Sequence, residues 1–330
     1  MSNDTAALLD LDRVGAWLDE HGVAPRFPLT ATRVGGGFSN EMFELRRGGE
    51  HVVLRRPANI ALQGADRGLR REYRFLSALD HTGIPHAAPV ALCEDQAVLG
   101  CTFYVMQWVD GFMPTVLPAV FDDPAGREAV SFAAVDVLAD LGTADWRALG
   151  LADLGRPEGF HERQVDRWLG QYRAYPNQEL PGIEAAATFL DDHRPREWAP
   201  AIMHGDYHMA NLLVAPDPPA RVAAVCDWET ATIGDPLLDL AAFVRFWTEQ
   251  HPTGDGWPDD RALVERYAAR SGRAIPDLSY YSVLARFRLA VMMEGIYQRS
   301  LSDTTRDPAI DMHTYSTYLV SGIRELIAAA

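Results

Sequence analysis

Ile202-Met203-His204-Gly205-Asp206-Tyr207-His208-Met209-Ala210-Asn211-Leu212-Leu213-Val214 is the stretch on which the reading of this chain turns. Shortly after it stands Ala224-Val225-Cys226-Asp227-Trp228-Glu229. Each contains short apolar runs, long enough for one strand, that deliver an acidic residue to a strand end or loop. The first also delivers an amide, because Asn211 lies five residues after Asp206. An amide oxygen and a carboxylate are hard oxygen ligands that suit Mg²⁺, and a second carboxylate beside them can accept a hydroxyl proton. On that reading Asn211 and Asp227 hold the metal and Asp206 is the base. Two rival readings use the same residues. His204, Asp206 and His208 alternate, so an extended segment would put them on one face, where they could hold Zn²⁺ in a metallohydrolase. That reading leaves Asn211 and Asp227 without a role. The other rival is a plain polar turn capped by Asn211.

His-Gly-Asp-x-x-x-x-Asn, followed by a strand and Asp-Trp-Glu, is similar to the motifs of the aminoglycoside phosphotransferase and choline kinase family. That family resembles the protein kinases, whose catalytic loop carries Asn five residues after its Asp and whose metal-binding Asp lies in Asp-Phe-Gly. The resemblance covers residues 30 to 300. It implies an α+β fold of two lobes, like a protein kinase: a first lobe at 1–108 with a small antiparallel sheet, and a mainly helical second lobe at 109–330. It implies a small-molecule kinase that moves the γ-phosphoryl group of ATP or GTP to a hydroxyl. Asp206 would be the base, with His204 orienting the catalytic loop and Mg²⁺ held by Asn211 and Asp227.

Bulk properties agree with a globular enzyme. The chain has 330 residues, enough for two lobes, with 48% hydrophobic and 23% charged residues. A formal net charge of −16 argues against nucleic acid or an anionic membrane as partner. It would suit a cationic acceptor. Cys93, Cys101 and Cys226 are scattered in apolar segments, as expected of reduced thiols in the cytoplasm. Neither a signal peptide nor a membrane-spanning stretch is apparent, and the expected state is a monomer or homodimer.

The chain opens with a helical pattern at Leu11, Val14, Trp17 and Leu18 that Gly22 would stop. Next comes Val34-Gly35-Gly36-Gly37-Phe38-Ser39-Asn40, a glycine-rich hairpin between two strand-like runs. Backbone N–H groups in such a turn can reach phosphate oxygens. The resemblance assigns Gly36, Gly37, Phe38 and Ser39 to the loop that covers the nucleotide. A strand His51-Val52-Val53-Leu54-Arg55-Arg56-Pro57 follows. Alternation puts Val53 and Arg55 on one face, and Leu54 and Arg56 on the other. The resemblance makes Val53 the floor of the adenine site and puts Arg55 where most of the family has a phosphate-binding Lys. Arg56 reads as a solvent-facing charge. Residues 64–68 read as a loop and 69–79 as a helix in which Glu72 shares a face with Leu76 and Leu79. A carboxylate on an apolar face needs a cation, and Arg55 is the candidate.

Two further strands are expected at 88–94 and 102–108. The second runs into Val109-Asp110-Gly111, which resembles a kinase hinge. The resemblance gives adenine contacts to the Gln107 carbonyl and the Val109 N–H, with Met106 at the deep end. Helices are expected at 124–141, 159–172, 183–192, 260–270, 278–299 and 311–328. Asp235-Pro236 reads as a helix start, with Asp239 bracing the catalytic loop by resemblance. Asp235, Glu294 and Tyr297 complete the candidates as acceptor-site residues. The glycine-rich loop and Val-Leu-Arg-Arg-Pro are similar to bacterial phosphotransferases related to kinase domains fused to acyl-CoA dehydrogenases. That branch implies a hydroxylated acyl acceptor, whereas the acidic charge favours an aminoglycoside or amino alcohol. Arg55 in the Lys position keeps open a nucleotide-binding protein without transfer activity.

Overall fold

The structure is a computed structural model, and it describes residues 9–36, 40–58, 65–80, 82–177, 180–302 and 310–329. Its first unit is an antiparallel sheet in the order β1-β2-β3-β5-β4, formed by β1 (Thr30–Gly36), β2 (Asn40–Arg47), β3 (Glu50–Pro57), β4 (Pro89–Cys93) and β5 (Phe103–Gln107). Helix α1 (Leu11–Glu20) packs on one face of it, capped by the Asp10 carboxylate, which accepts the Arg13 N–H. Gly22 follows the helix with φ +74°, as the sequence requires of a stop.

The register of β2 against β3 sorts the two faces. Phe43 lies opposite Leu54, Leu45 opposite Val52, and Glu41 opposite Arg56. These point to α1, where Val14, Leu18, Phe43, Leu45 and Leu54 form a core. Burying each such side chain contributes about 1.5–3 kcal/mol. Arg56 is therefore not the solvent-facing charge expected. It is buried, with Nε and Nη2 3.1 and 2.9 Å from Glu41 Oε2. The pairing partner across the ladder is itself a carboxylate, so the charge is neutralised inside. The opposite face carries Met42, Val53, Arg55, Tyr104 and Met106, with Arg55 registered on both Met42 and Tyr104.

Helix α2 (Ala65–Leu79) begins four residues earlier than expected and includes Gly68, since neither capping chemistry nor a proline ends the pattern there. Leu69, Phe75, Leu76 and Leu79 bury into the larger core, not that of the sheet. A short helix, α3 (Gln96–Leu99), joins β4 to β5. After Gly111 the chain crosses into the helical part. Phe112 and Val214 exchange backbone hydrogen bonds of 2.9 and 2.8 Å. A Cβ on Gly111 would stand 2.9 Å from the Val214 carbonyl oxygen, so glycine lets the linker lie against that strand.

The helical part contains α4 (Pro124–Thr143), α5 (Gln164–Arg173), α6 (Ile183–Asp192), α7 (Leu237–Gln250), α8 (Asp260–Ser271), α9 (Ser279–Ser302) and α10 (Ile310–Ala329). The helix expected from residue 159 starts later, because a 3₁₀ turn at His161–Arg163 precedes α5. Two short antiparallel pairs sit among these helices: β6 (Ala201–Met203) with β9 (Thr232–Gly234), and β7 (Leu212–Val214) with β8 (Val222–Val225). No helix among the described residues is long and apolar enough to cross a membrane.

Candidate active site

Both motif stretches end in one place because their strands are paired with each other's flanks. β6 runs buried beside β9, and its end releases His204 into the loop. β7 lies opposite β8, with Leu212 registered on Val225 and the Cys226 N–H donated to the Asn211 carbonyl at 2.8 Å. Asn211 and Asp227 are thus brought to the same end of one hairpin.

The loop between is held by backbone chemistry. The Asp239 carboxylate on α7 accepts the His204 N–H at 2.6 Å and the Gly205 N–H at 3.0 Å. Burial pushes the Asp239 carboxyl up to about 6, against the pull of Arg288 and of these two donors. Gly205 has φ +82°, and a Cβ there would meet the Thr230 carbonyl oxygen at 2.8 Å. Both the conformation and the close approach require glycine. His204 is fully buried and orients the loop. Its Nε2 lies 2.9 Å from the Cys226 carbonyl and its Nδ1 accepts the Asp206 N–H at 3.3 Å. Burial pulls its pKa down and keeps it neutral. With both ring nitrogens engaged, His204 has none to offer Zn²⁺. Among the described residues no group of three or more His, Cys, Asp or Glu is placed to hold a metal ion.

Asp206 is half-buried. Asn211 Nδ2 donates to its Oδ2 at 3.1 Å and to its backbone carbonyl at 3.0 Å. His208 Nε2 stands 3.4 Å from the same Oδ2. Burial pushes the Asp206 carboxyl up, but His208 and Asn211 outweigh it and hold it below the usual carboxylate range. With Nδ2 spent on Asp206, Asn211 keeps its amide oxygen for another partner. That oxygen and the Asp227 carboxylate form a hard donor pair. Mg²⁺ takes such a pair from a protein when phosphates and water complete its shell.

Asp227 has a left-handed backbone, φ 63°, unusual for a residue other than glycine and common where a site stores strain. Its Oδ1 accepts Arg55 Nη2 at 2.6 Å. Arg55 Nε lies 3.0 Å from Glu72 Oε2, and Arg55 Nη2 stands 3.8 Å from Glu229 Oε2. One guanidinium thus gathers three carboxylates. Glu72 Oε1 in turn accepts the Trp228 N–H at 3.1 Å, and Asn40 Nδ2 donates to Glu229 at 2.9 Å. Burial pushes the Glu72 carboxyl up to about 7 against the pull of Arg55. Burial also disfavours the charge on Arg55, but Glu72 and Asp227 more than offset it and raise its pKa.

Along the hinge, the Gln107 N–H is donated to Ala88 at 2.8 Å and the Trp108 N–H to His51 at 3.1 Å. Val53 and Met106 face each other in the ladder beneath it. Gly36 is registered on Glu41, closing the hairpin, while Gly37, Phe38 and Ser39 lie outside the described residues. The proposed acceptor residues fall into two groups, Asp235 in one and Glu294 with Tyr297 around His313 in the other. Asp235 is buried, accepts Tyr281 OH at 2.8 Å and the Leu237 N–H at 3.1 Å, and lies 3.0 Å from His161 Nε2. Glu294 is buried between Gln298 Nε2 at 2.7 Å and His313 Nδ1 at 2.8 Å, and the Tyr297 ring lies 4.9 Å from His313.

Tyr104 and Arg288 escaped the reading of the sequence, and His208 entered it only as a rival Zn²⁺ ligand. Tyr104, fully buried and registered on Arg55, has its hydroxyl pKa pushed up by burial and by the Glu72 carboxylate. His208 touches Asp206, a contact their spacing could have signalled. Arg288 on α9 lies over the Trp168 ring at 5.4 Å, and its buried Nε has no hydrogen-bond partner among the described residues. Asp239 and Asp206 both act on it electrostatically.

The sequence profile of the phosphotransferase enzyme family matches residues 30–281. The chain belongs to that family. Among solved structures, this family member is similar to a putative aminoglycoside phosphotransferase from Ralstonia eutropha, with 32% identity and a TM-score of 0.85 over 98% of this chain and 99% of that one. An aminoglycoside phosphotransferase in ternary complex with ADP and hygromycin B shares the fold at 16% identity and a TM-score of 0.63, over 95% of this chain and 98% of that one. Among curated proteins, acyl-CoA dehydrogenase family member 11 of Gallus gallus is 35% identical over 84% of this chain and 38% of its own length. The Mus musculus protein of that name is 31% identical, over 98% of this chain and 45% of its own length. The chain thus spans less than half of these relatives. The fold is the two-lobed kinase-like α+β fold of the phosphotransferase family.

Proposed function

We propose that this protein transfers the γ-phosphoryl group of ATP or GTP to a hydroxyl of a small molecule, with Asp206 as the base. The observation that carries this reading is the convergence of Asp206, Asn211 and Asp227: the Asn211 amide is on the Asp206 carboxylate, and the Cys226 N–H, next to Asp227, is on the Asn211 carbonyl. Asp206 takes the hydroxyl proton as the acceptor oxygen attacks the γ-phosphorus, whose bond to the β–γ bridging oxygen breaks and releases the nucleoside diphosphate. Arg55, fixed by Glu72, reaches the phosphates from β3, and Gly36 to Ser39 cover them. Adenine or guanine meets the Gln107 carbonyl and Val109 N–H. Mg²⁺ on Asn211 and Asp227 would neutralise charge on the phosphates. Catalysis then comes mainly from positioning and electrostatic stabilisation. The nucleotide lobe ends near residue 108, and the enzyme works in the cytoplasm.

The acceptor is a hydroxylated acyl compound. The acyl-CoA dehydrogenase names of the curated relatives support it. The test incubates the full chain with Mg²⁺, ATP or GTP, and a panel of hydroxyacyl thioesters, hydroxy acids, kanamycin and hygromycin B. Mass spectrometry should find a product heavier by one phosphoryl group with a hydroxyacyl acceptor, and none with Asp206→Ala. Phosphorylated aminoglycoside alone would overturn the acceptor class. Nucleotide binding with no product from any acceptor would favour a protein without transfer activity.

A further inference from the structure

The two carboxylate oxygens of Asp206 are not equivalent. Oδ2 receives Asn211 Nδ2 at 3.1 Å and faces His208 Nε2 at 3.4 Å. No described residue makes a hydrogen bond or ion pair to Oδ1. The orientation of the imidazole is set from its other side. His208 Nδ1 accepts the Ala210 N–H at 3.2 Å and so caps the 3₁₀ turn Met209–Asn211, which positions Asn211. A neutral imidazole has one donor and one acceptor nitrogen. With Nδ1 accepting, the hydrogen resides on Nε2, which lies 3.4 Å from Oδ2 and 3.3 Å from Asn211 Nδ2; the two hydrogens of that amide go to the Asp206 carbonyl and Oδ2, so the Nε2–H is left for the carboxylate.

A cap needs only a short acceptor such as Asn, Asp or Ser. Histidine is longer than that task requires, and its extra reach ends at the base. We propose that His208 is a positioning residue: its Nε2–H, with the Asn211 amide, pins Oδ2 of Asp206 and so leaves Oδ1 to take the acceptor hydroxyl. This rests on the phosphotransferase reading above. A carboxylate pinned on one oxygen cannot rotate away from the acceptor, which is a preorganisation effect on the chemical step and not on binding.

Two substitutions separate the cap from the pin. His208→Asn puts an amide oxygen near the position of Nδ1 and keeps the cap, but cannot reach Asp206. His208→Gln puts an amide nitrogen near the position of Nε2 and keeps the pin, but loses the cap. With Mg²⁺, ATP and the acceptor from the panel, His208→Asn should lower kcat on the order of 10–100-fold while leaving both KM values and Tm nearly unchanged. His208→Gln should restore most of kcat while lowering Tm. Wild-type kcat in His208→Asn, or no rescue by His208→Gln, overturns the proposal.

A second readout needs no turnover. In ¹⁵N-histidine NMR of the full chain in mildly alkaline buffer, His208 should be the Nε2–H tautomer, and its Nε2 signal should move in Asp206→Ala. An Nδ1–H tautomer overturns the proposal even if transfer occurs. Absence of transfer by the wild type to any acceptor would instead overturn the phosphotransferase reading, with the tautomer still deciding the role of His208.

Discussion

Asp206 and Asp227, the acidic residues delivered by the two motifs, have equally exposed side chains, 36% each. They are nevertheless held by opposite means. Asp206 is held by polar groups from its own loop, His208 and Asn211, two and five residues away. Asp227 is gripped by a full charge from another layer, since Arg55 comes from the sheet. The difference shows how one site divides its tasks. Asp206, the proposed base, is set locally, so it can stay oriented whatever the sheet does. Asp227, the proposed metal ligand, is tied to the first lobe through Arg55, so it registers whether β3 and α2 are in place.

Four experiments would break or sharpen this contrast. The largest effect should come from Asp206→Ala, which removes the base and should cost about 10²–10⁴-fold in transfer rate. Because its partners are local and half-exposed, Tm should move little. A Tm loss as large as that of an Arg55 variant would break the contrast. Second, Arg55→Met strips the buried Glu72 of its cation. Breaking a buried pair in this way costs about 3–5 kcal/mol, readable as a lower urea midpoint. Adding Glu72→Gln to it should recover part of that loss, since the uncompensated charge is then gone.

Third, Asp239→Ala leaves the His204 and Gly205 N–H groups buried without their acceptor. At about 1–3 kcal/mol each, the expected loss is about 2–6 kcal/mol by denaturant titration. Asp239 also predicts a pH signature. Its folded pKa of about 6 lies above the unfolded value of 3.8, so the folded state holds this proton more tightly. Its contribution is therefore greatest below about pH 4 and is lost as pH rises to about 6. Relative to Asp239→Asn, which does not titrate, wild-type Tm should fall across that window and level off above it. The smallest effect concerns Cys226, whose thiol burial pushes up to about 11. At pH 8 its thiolate fraction is about 10⁻³, so alkylation by iodoacetamide should be slower than for a free cysteine.

Much of the helical part was readable from spacing alone. The run Ile183–Asp192 has the boundaries its pattern implies, and Asp206 with Asn211 needed only their offset. The same local logic failed at Arg56. Alternation placed it on the face opposite Arg55, correctly, but could not say that α1 covers that face. Gly68 misled in the other direction, because packing of Leu69 and Phe75 outweighs the weak helix propensity of one glycine. Glu72 was legible as a carboxylate in need of a cation. Its second partner, the Trp228 N–H, was not, and neither was Tyr104 above it.

By itself the order of residues determined the strand ends, the loop glycine and the offset from Asp206 to Asn211. These depend on dihedral preferences and distances within a few residues. The tertiary structure alone decided which charges meet: Arg55 with Asp227, and Glu41 with Arg56. Those encounters follow from burial. Once apolar faces have closed, each ion left inside must share whatever counter-charge the packing has brought beside it, and nothing in the local spacing specifies that neighbour.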